Sequence, residues 1–234
     1  MEQTTIDPEK LWFNTPDTHT LCRAGGNGPA HPSQLYAIKK YVLPLAEQKI
    51  GISFLDYGAG SGTTYEAILN SDIPWHLIKY TGVDIIPKNI EWCQKQWLQA
   101  EWKWNKLIHK IDQPDKSFDV VYSRHVVDHM ESFEKALDEH KRVAKKLVIV
   151  ILWVGFSDKD EHEIRNIVDA PGTPNEKLWP NEYTNTYSRK KVIEYLNSDP
   201  EWELLEFNES VGNNQVIVLG RKSSYAKAME DENA

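Results

Sequence analysis

The chain is poor in cysteine and methionine and has no long apolar run. Its two cysteines, Cys22 and Cys93, stand far apart in 234 residues and in no metal-type spacing. Such a pair reads as free thiols in a reducing compartment rather than a disulfide frame or a zinc site, and no metal is expected. No stretch approaches the roughly 18 apolar residues that span a bilayer, and the N-terminus has no apolar signal core. A cytoplasmic protein without a membrane partner is the expectation. Positive charge is also short, with 27 Lys and Arg against 35 Asp and Glu and a formal charge of −8. That balance disfavours unaided binding to nucleic acid or an anionic surface. The length suits one α/β domain with a cap, and two full domains would be cramped. Aromatics are not scarce: nine tryptophans stand in the chain, enough for core, for an aromatic pocket or for an interface.

There is no internal repeat and no low-complexity segment. Residues 1–30 are irregular, rich in Gly and Pro. Ser33–Glu47 is expected to be helical, with Leu35, Ile38, Val42 and Leu45 at helical spacing and Pro44 as a kink or stop. Residues 1–49 therefore read as an N-terminal cap segment and helix. A β-α-β rhythm follows: strand Ile52–Asp56, helix Thr63–Leu69 with Thr63 and Glu66 spaced as a capping box, strand Ile78–Val83, helix Lys88–Gln99, strand Trp102–Ile108, strand Phe118–Tyr122, helix Ser132–Val143 and strand Leu147–Val154. Residues 155–187 break the pattern and read as an inserted lid or substrate segment. Helix Ser188–Leu196 and strands Trp202–Phe207 and Gln215–Leu219 complete the chain, with 222–234 expected as a disordered tail. The two last strands are joined too briefly for a parallel crossover and must pair antiparallel. The expected fold is α/β, a doubly wound, mostly parallel sheet of seven strands closed by an antiparallel hairpin, with helices on both faces, in a single domain over 1–234.

The first strand ends in Asp56-Tyr57-Gly58-Ala59-Gly60-Ser61-Gly62, and the second in Asp84. Glycines at a strand-to-helix turn permit positive φ and let a ligand lie on the backbone. A dinucleotide loop runs G-x-G-x-x-G and presents a helix N-terminus to a pyrophosphate. Here the third glycine comes one residue early and an acid precedes the loop. That acid would repel a pyrophosphate and suit a cationic or amine-bearing ligand. Gly58, Gly60 and Gly62 alone are also compatible with a tight turn, and Asp84 with a helix cap.

On these residues, 52–153 resemble the core of the class I S-adenosylmethionine-dependent methyltransferases, closest in pattern to the small-molecule enzymes. Ser117–Tyr122 resembles the family's fourth-strand segment, and His125–Val143 the helix that follows it. Ala144-Lys145-Lys146-Leu147 departs from the usual Gly-Gly turn before strand five. The resemblance implies S-adenosyl-L-methionine as cofactor and S-adenosyl-L-homocysteine as product. It places Asp56, Gly58, Ala59, Gly60 and Gly62 around the methionine part, Asp84 and Ile85 at the ribose, and Ile111, Asp112 and Ser123 along the rest of the cofactor, with Asp112 toward the adenine amine. The alternative for Asp112 is an ordinary polar turn with Gln113-Pro114-Asp115.

Methyl transfer is an in-line displacement that depends mainly on alignment, and a base helps only where the nucleophile is protonated. The catalytic candidates are His125 and His129, on the segment that leaves the carboxyl end of strand four. Each is also readable as a structural histidine, and with Asp128 the pair could form a metal site. Tyr36, His31, Trp153, Tyr183 and Tyr187 are candidates for the acceptor pocket, or else cover for the core. The partner expected is a small-molecule acceptor, with nucleic acid disfavoured and oligomeric state open. The competing readings are an RNA- or protein-directed methyltransferase, a cofactor-binding regulatory subunit without turnover, and a nicotinamide-dependent oxidoreductase.

Overall fold

The computed structural model of this chain describes residues 31–49, 51–130, 132–165 and 182–222. The expected irregular start at 1–30, the tail beyond 222 and the middle of the 155–187 segment lie outside the described residues.

Seven strands form one sheet in the order β3-β2-β1-β4-β5-β9-β8. They are β1 (Ile52–Tyr57), β2 (Ile78–Asp84), β3 (Glu101–Trp104), β4 (Phe118–Arg124), β5 (Ala144–Leu152), β8 (Trp202–Val211) and β9 (Asn214–Arg221). β1 pairs parallel with both β2 and β4, so the strand order reverses between β1 and β4. Ligands bind at such a reversal, outside the carboxyl ends of the strands. β9 pairs antiparallel with β5 and β8, as the short connection required. Two further strands, β6 (Glu161–Arg165) and β7 (Glu182–Thr186), pair with each other in a separate antiparallel ladder. The 155–187 segment is therefore not patternless. Its ladder alternates polar and β-branched residues too weakly to announce itself.

Each strand sends alternate side chains to opposite faces. Phe54, Val120, Tyr122, Ile149 and Ile151 join one buried cluster with α1 (Pro32–Ala37), α2 (Leu43–Lys49), α3 (Thr63–Leu69) and α4 (Pro87–Gln96). Leu55, Val121, Val148 and Val150 join the other with α5 (Phe133–Val143) and α6 (Arg189–Ser198). Truncating a residue such as Phe133 in either layer should cost about 3–5 kcal/mol.

Several local features differ from the sequence reading. Pro44 does not stop its helix, though the regular α-helical ladder is interrupted just before it. The chain widens into a π turn over Ile38–Val42, with the Leu43 N–H on the Ile38 carbonyl, and continues as α2. The capping box at Thr63 does not form, because Gly62 in the left-handed region is the cap and has no side chain. Helix α4 ends at Gln96 rather than Gln99. The third strand stops at Trp104 because Asn105 turns the chain: its N–H bonds the Asp84 carbonyl at 2.9 Å, and its amide donates to the Leu107 and Lys110 carbonyls. Trp102 packs on Gly82, where an added Cβ would come within 2.2 Å of the indole.

Candidate functional site

β1 delivers Asp56 and Tyr57 to the carboxyl edge of the sheet, and the backbone then turns three times through positive φ. Gly58, Gly60 and Gly62 have φ of 75°, 54° and 75°. The Gly58 and Ala59 N–H groups both donate to the Val83 carbonyl, at 2.8 and 2.9 Å, which ties the loop to β2. Gly58 is required twice over, by its φ and by a neighbour: a Cβ there would stand 2.2 Å from Val126 Cγ2. The segment after β4 is thus packed directly on the loop. Ser61 is fully buried, and its hydroxyl has no hydrogen-bond partner among the described residues.

The two acids sit beside this loop. Asp84 Oδ2 accepts from the Gly60 N–H at 2.8 Å, and Oδ1 from the Ile86 N–H at 2.8 Å and from Asn89 at 3.2 Å. Burial pushes its pKa up, against those hydrogen bonds. Asp56 accepts from the Tyr80 hydroxyl. Burial lifts it to about 7, with Asp84 adding to the rise and Tyr80, Thr64 and Arg124 opposing it. Two desolvated acids side by side disfavour a pyrophosphate and favour a ligand bearing positive charge.

The connection from β3 to β4 hangs on Asn105, which sequence reasoning missed. Its Oδ1 accepts from the Asp112 N–H at 2.7 Å. Asp112 itself is exposed and Ile111 buried. Hydrogen bonds through Asn105 thus join Asp112 to Asp84. Ile85 is partly buried, and its carbonyl accepts from the half-exposed Trp104 indole at 3.0 Å. The one signal for Asn105 was a polar residue directly following a strand.

At the end of β4, Ser123 is buried and meets His140 Nε2 at 3.0 Å. His140 Nδ1 stands 2.6 Å from the Ala136 carbonyl, which can only accept. Nδ1 therefore donates and Nε2 accepts the Ser123 hydroxyl. Burial holds His140 neutral, with a pKa near 4. His140 was also missed: it lies on the apolar face of α5, where no sequence pattern separates it from core.

His125 follows with φ of 56°, a left-handed conformation unusual for a residue with a side chain. Its N–H donates to the Ile151 carbonyl at 2.8 Å, and its Nε2 faces Asn214 at 2.9 Å. Burial, then Arg124, push its pKa well below the usual range. A 3-10 turn at Val127–His129 places His129 at 7% exposure, its N–H on the Val126 carbonyl. Asp128 Oδ1 accepts from the Val154 N–H. Among the described residues, no three His, Cys, Asp or Glu side chains converge as a cation site.

The acceptor candidates divide. His31 lies against His125, ring centroids 6.5 Å apart. Trp153 is partly buried just past the end of β5. Tyr187 is buried and donates to the Val127 and Met130 carbonyls, while Asn185 donates to the Asp128 and Met130 carbonyls. Tyr187 thus clamps the His129 turn. Tyr36 turns to β8 and donates to Glu206 at 2.6 Å. Tyr183 pairs with Ile164 in the β6–β7 ladder, and its side chain lies outside what is described.

Residues 55–152 match the methyltransferase domain family. The chain also resembles several solved structures. One is an S-adenosylmethionine-dependent methyltransferase from Aquifex aeolicus, with TM-score 0.51, 18% identity, and coverage of 93% of this chain and 100% of that one. Another is magnesium protoporphyrin IX methyltransferase from Synechocystis with bound S-adenosylmethionine, with TM-score 0.59, 12% identity, and coverage of 94% and 100%. A third, described as a putative zinc-dependent alcohol dehydrogenase from Rhodobacter sphaeroides, gives TM-score 0.63, 13% identity, and coverage of 94% and 100%. Likeness at such identities carries the fold alone. The family match carries the chemistry, and the paired acids with the early third glycine fit it. Residues 55–152 of this chain are therefore a class I, S-adenosylmethionine-dependent methyltransferase domain.

Proposed function

We propose that the chain transfers a methyl group to an O or N atom of a small-molecule acceptor. When bound, S-adenosylmethionine supplies a methyl already activated on a sulfonium. The observation that carries the reading of the site is the pairing of buried Asp56 and Asp84 with the left-handed glycine loop at the sheet's strand-order reversal. In this reading the backbone of Gly58, Ala59, Gly60 and Gly62 lies along the methionine part, with Asp56 complementing its positive charge. Asp84, with Ile85 beside it, takes the ribose hydroxyls at the one lone-pair site that its three donors leave over. Asp112 and Ile111 border the adenine, and Ser123 borders the cofactor from β4. His129, in its clamped turn, accepts the proton of the acceptor hydroxyl or amine as the new bond to carbon forms. His31, Trp153, Tyr183 and Tyr187 border the acceptor, and Tyr36 lies at the outer margin of that region.

A small acceptor is supported by the formal charge of −8, which disfavours unaided binding to RNA. It is also supported by the likeness to the Synechocystis enzyme, whose acceptor is a porphyrin. The test is transfer from methyl-labelled S-adenosylmethionine into a cell extract, fractionated by size and by nuclease and protease digestion. Label is expected in the low-mass fraction. Label confined to RNA or protein would contradict the small-molecule reading, and the absence of transfer to any fraction would favour a regulatory subunit.

A further inference from the structure

An unbroken run of hydrogen bonds joins α1, the β8–β9 turn and the segment leaving β4, and each link fixes the next. His31 caps α1, with Nδ1 accepting from the Ser33 N–H at 3.3 Å. A nitrogen that accepts is bare, so the neutral ring carries its proton on Nε2. The Ser33 hydroxyl lies 2.7 Å from the same His31 Nδ1 and donates to it. The Ser33 oxygen then accepts from Asn214 Nδ2 at 2.7 Å, which orients the Asn214 amide. The same Nδ2 stands 2.9 Å from His125 Nε2. His125 Nε2 therefore accepts, and the ring's proton lies on Nδ1. Ser33 and Asn214 are both buried, so water does not compete for these links.

A neutral imidazole has one lone pair, and that of His125 is committed to Asn214. A general base needs that pair. We propose that His125 is a positioning residue, a neutral imidazole whose proton is fixed on Nδ1 by the Ser33–Asn214 pair, and that it fastens α1 and the β8–β9 turn to the segment carrying His129. The inference rests on the methyl-transfer reading only for its kinetic readout. The left-handed backbone at His125 fits the role: a strained conformation persists where surrounding contacts over-determine it, and here Asn214 and the Ile151 carbonyl hold the residue from two sides. The charged and titratable groups that face the ring are Arg124, His129 and His31, and each disfavours a second proton on it. Protonation would set an N–H against the Asn214 amide donor and break the run, so the fastening is expected to hold at neutral pH and loosen on acidification.

Nitrogen-resolved NMR of the histidine rings in the full chain tests this without an acceptor. At pH 7, His125 is expected to show an unprotonated Nε2 and a protonated Nδ1. A protonated Nε2, or two tautomers in exchange, would overturn the proposal. Asn214→Asp replaces the donor with an acceptor, and is expected to move the proton to Nε2 and raise the ring's titration midpoint; an unchanged tautomer would overturn it. Kinetically, His125→Asn keeps a residue that tolerates left-handed φ and a carbonyl that accepts from Asn214. It should hold kcat within about tenfold, whereas loss of a general base costs about 10²–10⁴-fold. A fall in that larger range in a folded His125→Asn variant would overturn the assignment. Should wild type transfer no methyl group at all, the methyl-transfer reading fails, and the tautomer still decides this one.

Discussion

The end of β1 and the end of β4 stand side by side in the sheet and reach the same left-handed backbone by different means. After β1 the chain uses glycines at 58, 60 and 62; after β4 it uses His125, which has a side chain to accommodate. The glycine turn is held by short backbone bonds to β2 and by one Asp84 oxygen. The β4 turn is held from a distance, by Asn214 on the β8–β9 hairpin and by Asn185 and Tyr187 at the end of β7. In the proposed reading, the first turn lies against a cofactor with its backbone and the second holds side chains still, as in-line transfer requires. Val126, packed on Gly58, is where the two meet.

The largest expected effect breaks that meeting point. Gly58→Ala combines a left-handed backbone penalty of about 1–2 kcal/mol with a clash of about 1–3 kcal/mol, and urea unfolding should register the sum. Adding Val126→Ala should recover the clash but not the backbone penalty; no recovery would show that the two turns are not packed as described. Next, Asp84→Asn should weaken S-adenosylhomocysteine binding by about 10–100-fold, the worth of a charged hydrogen bond. Unchanged affinity in a calorimetric titration would remove Asp84 from the ribose site. On the β4 side, Tyr187→Phe removes one donor from the Val127 and Met130 carbonyls, which keep the Met130 N–H and the Asn185 amide respectively, and should cost about 1 kcal/mol of stability. It should also lower kcat more than it changes KM.

The smallest net effect is in the pH profile, where the two ends oppose one another. Asp56 rises in the folded state to about 7, from an ordinary carboxylate near 4. Its stabilising contribution is present at low pH and is lost as pH climbs to about 7. His140, beneath Ser123, falls to about 4, from an ordinary value near 6.5. Its contribution is present above the ordinary value and is lost as pH drops toward 4. With Asp84 and His125 also contributing to the wild-type profile, Tm of Asp56→Asn is expected to rise more steeply with pH across this window than that of wild type. A variant profile parallel to wild type would contradict the assignment to Asp56.

The difference between the two turns also explains what could be read from sequence. Strand, glycine loop, helix and second acid are neighbours in the chain, and their chemistry is local, so Asp56, the three glycines and Asp84 stood out. The seven-stranded sheet with its antiparallel hairpin followed from spacing. The β4 turn depends on partners 60 residues away at Tyr187 and 89 at Asn214, and a single sequence carries no sign of such pairings. Asn105 and His140 were missed for the same reason: each is a polar residue whose task appears only once its acceptors are in place. Tyr36 was singled out for its ring, yet the ring's hydroxyl serves Glu206.

The claim on which the rest depends is that the glycine turn and its two acids hold a sulfonium amino-acid cofactor rather than a dinucleotide. Isothermal titration of the full chain with S-adenosylmethionine, S-adenosylhomocysteine and NAD tests it most directly. Binding of the first two with no heat from NAD is expected; binding of NAD alone would contradict it.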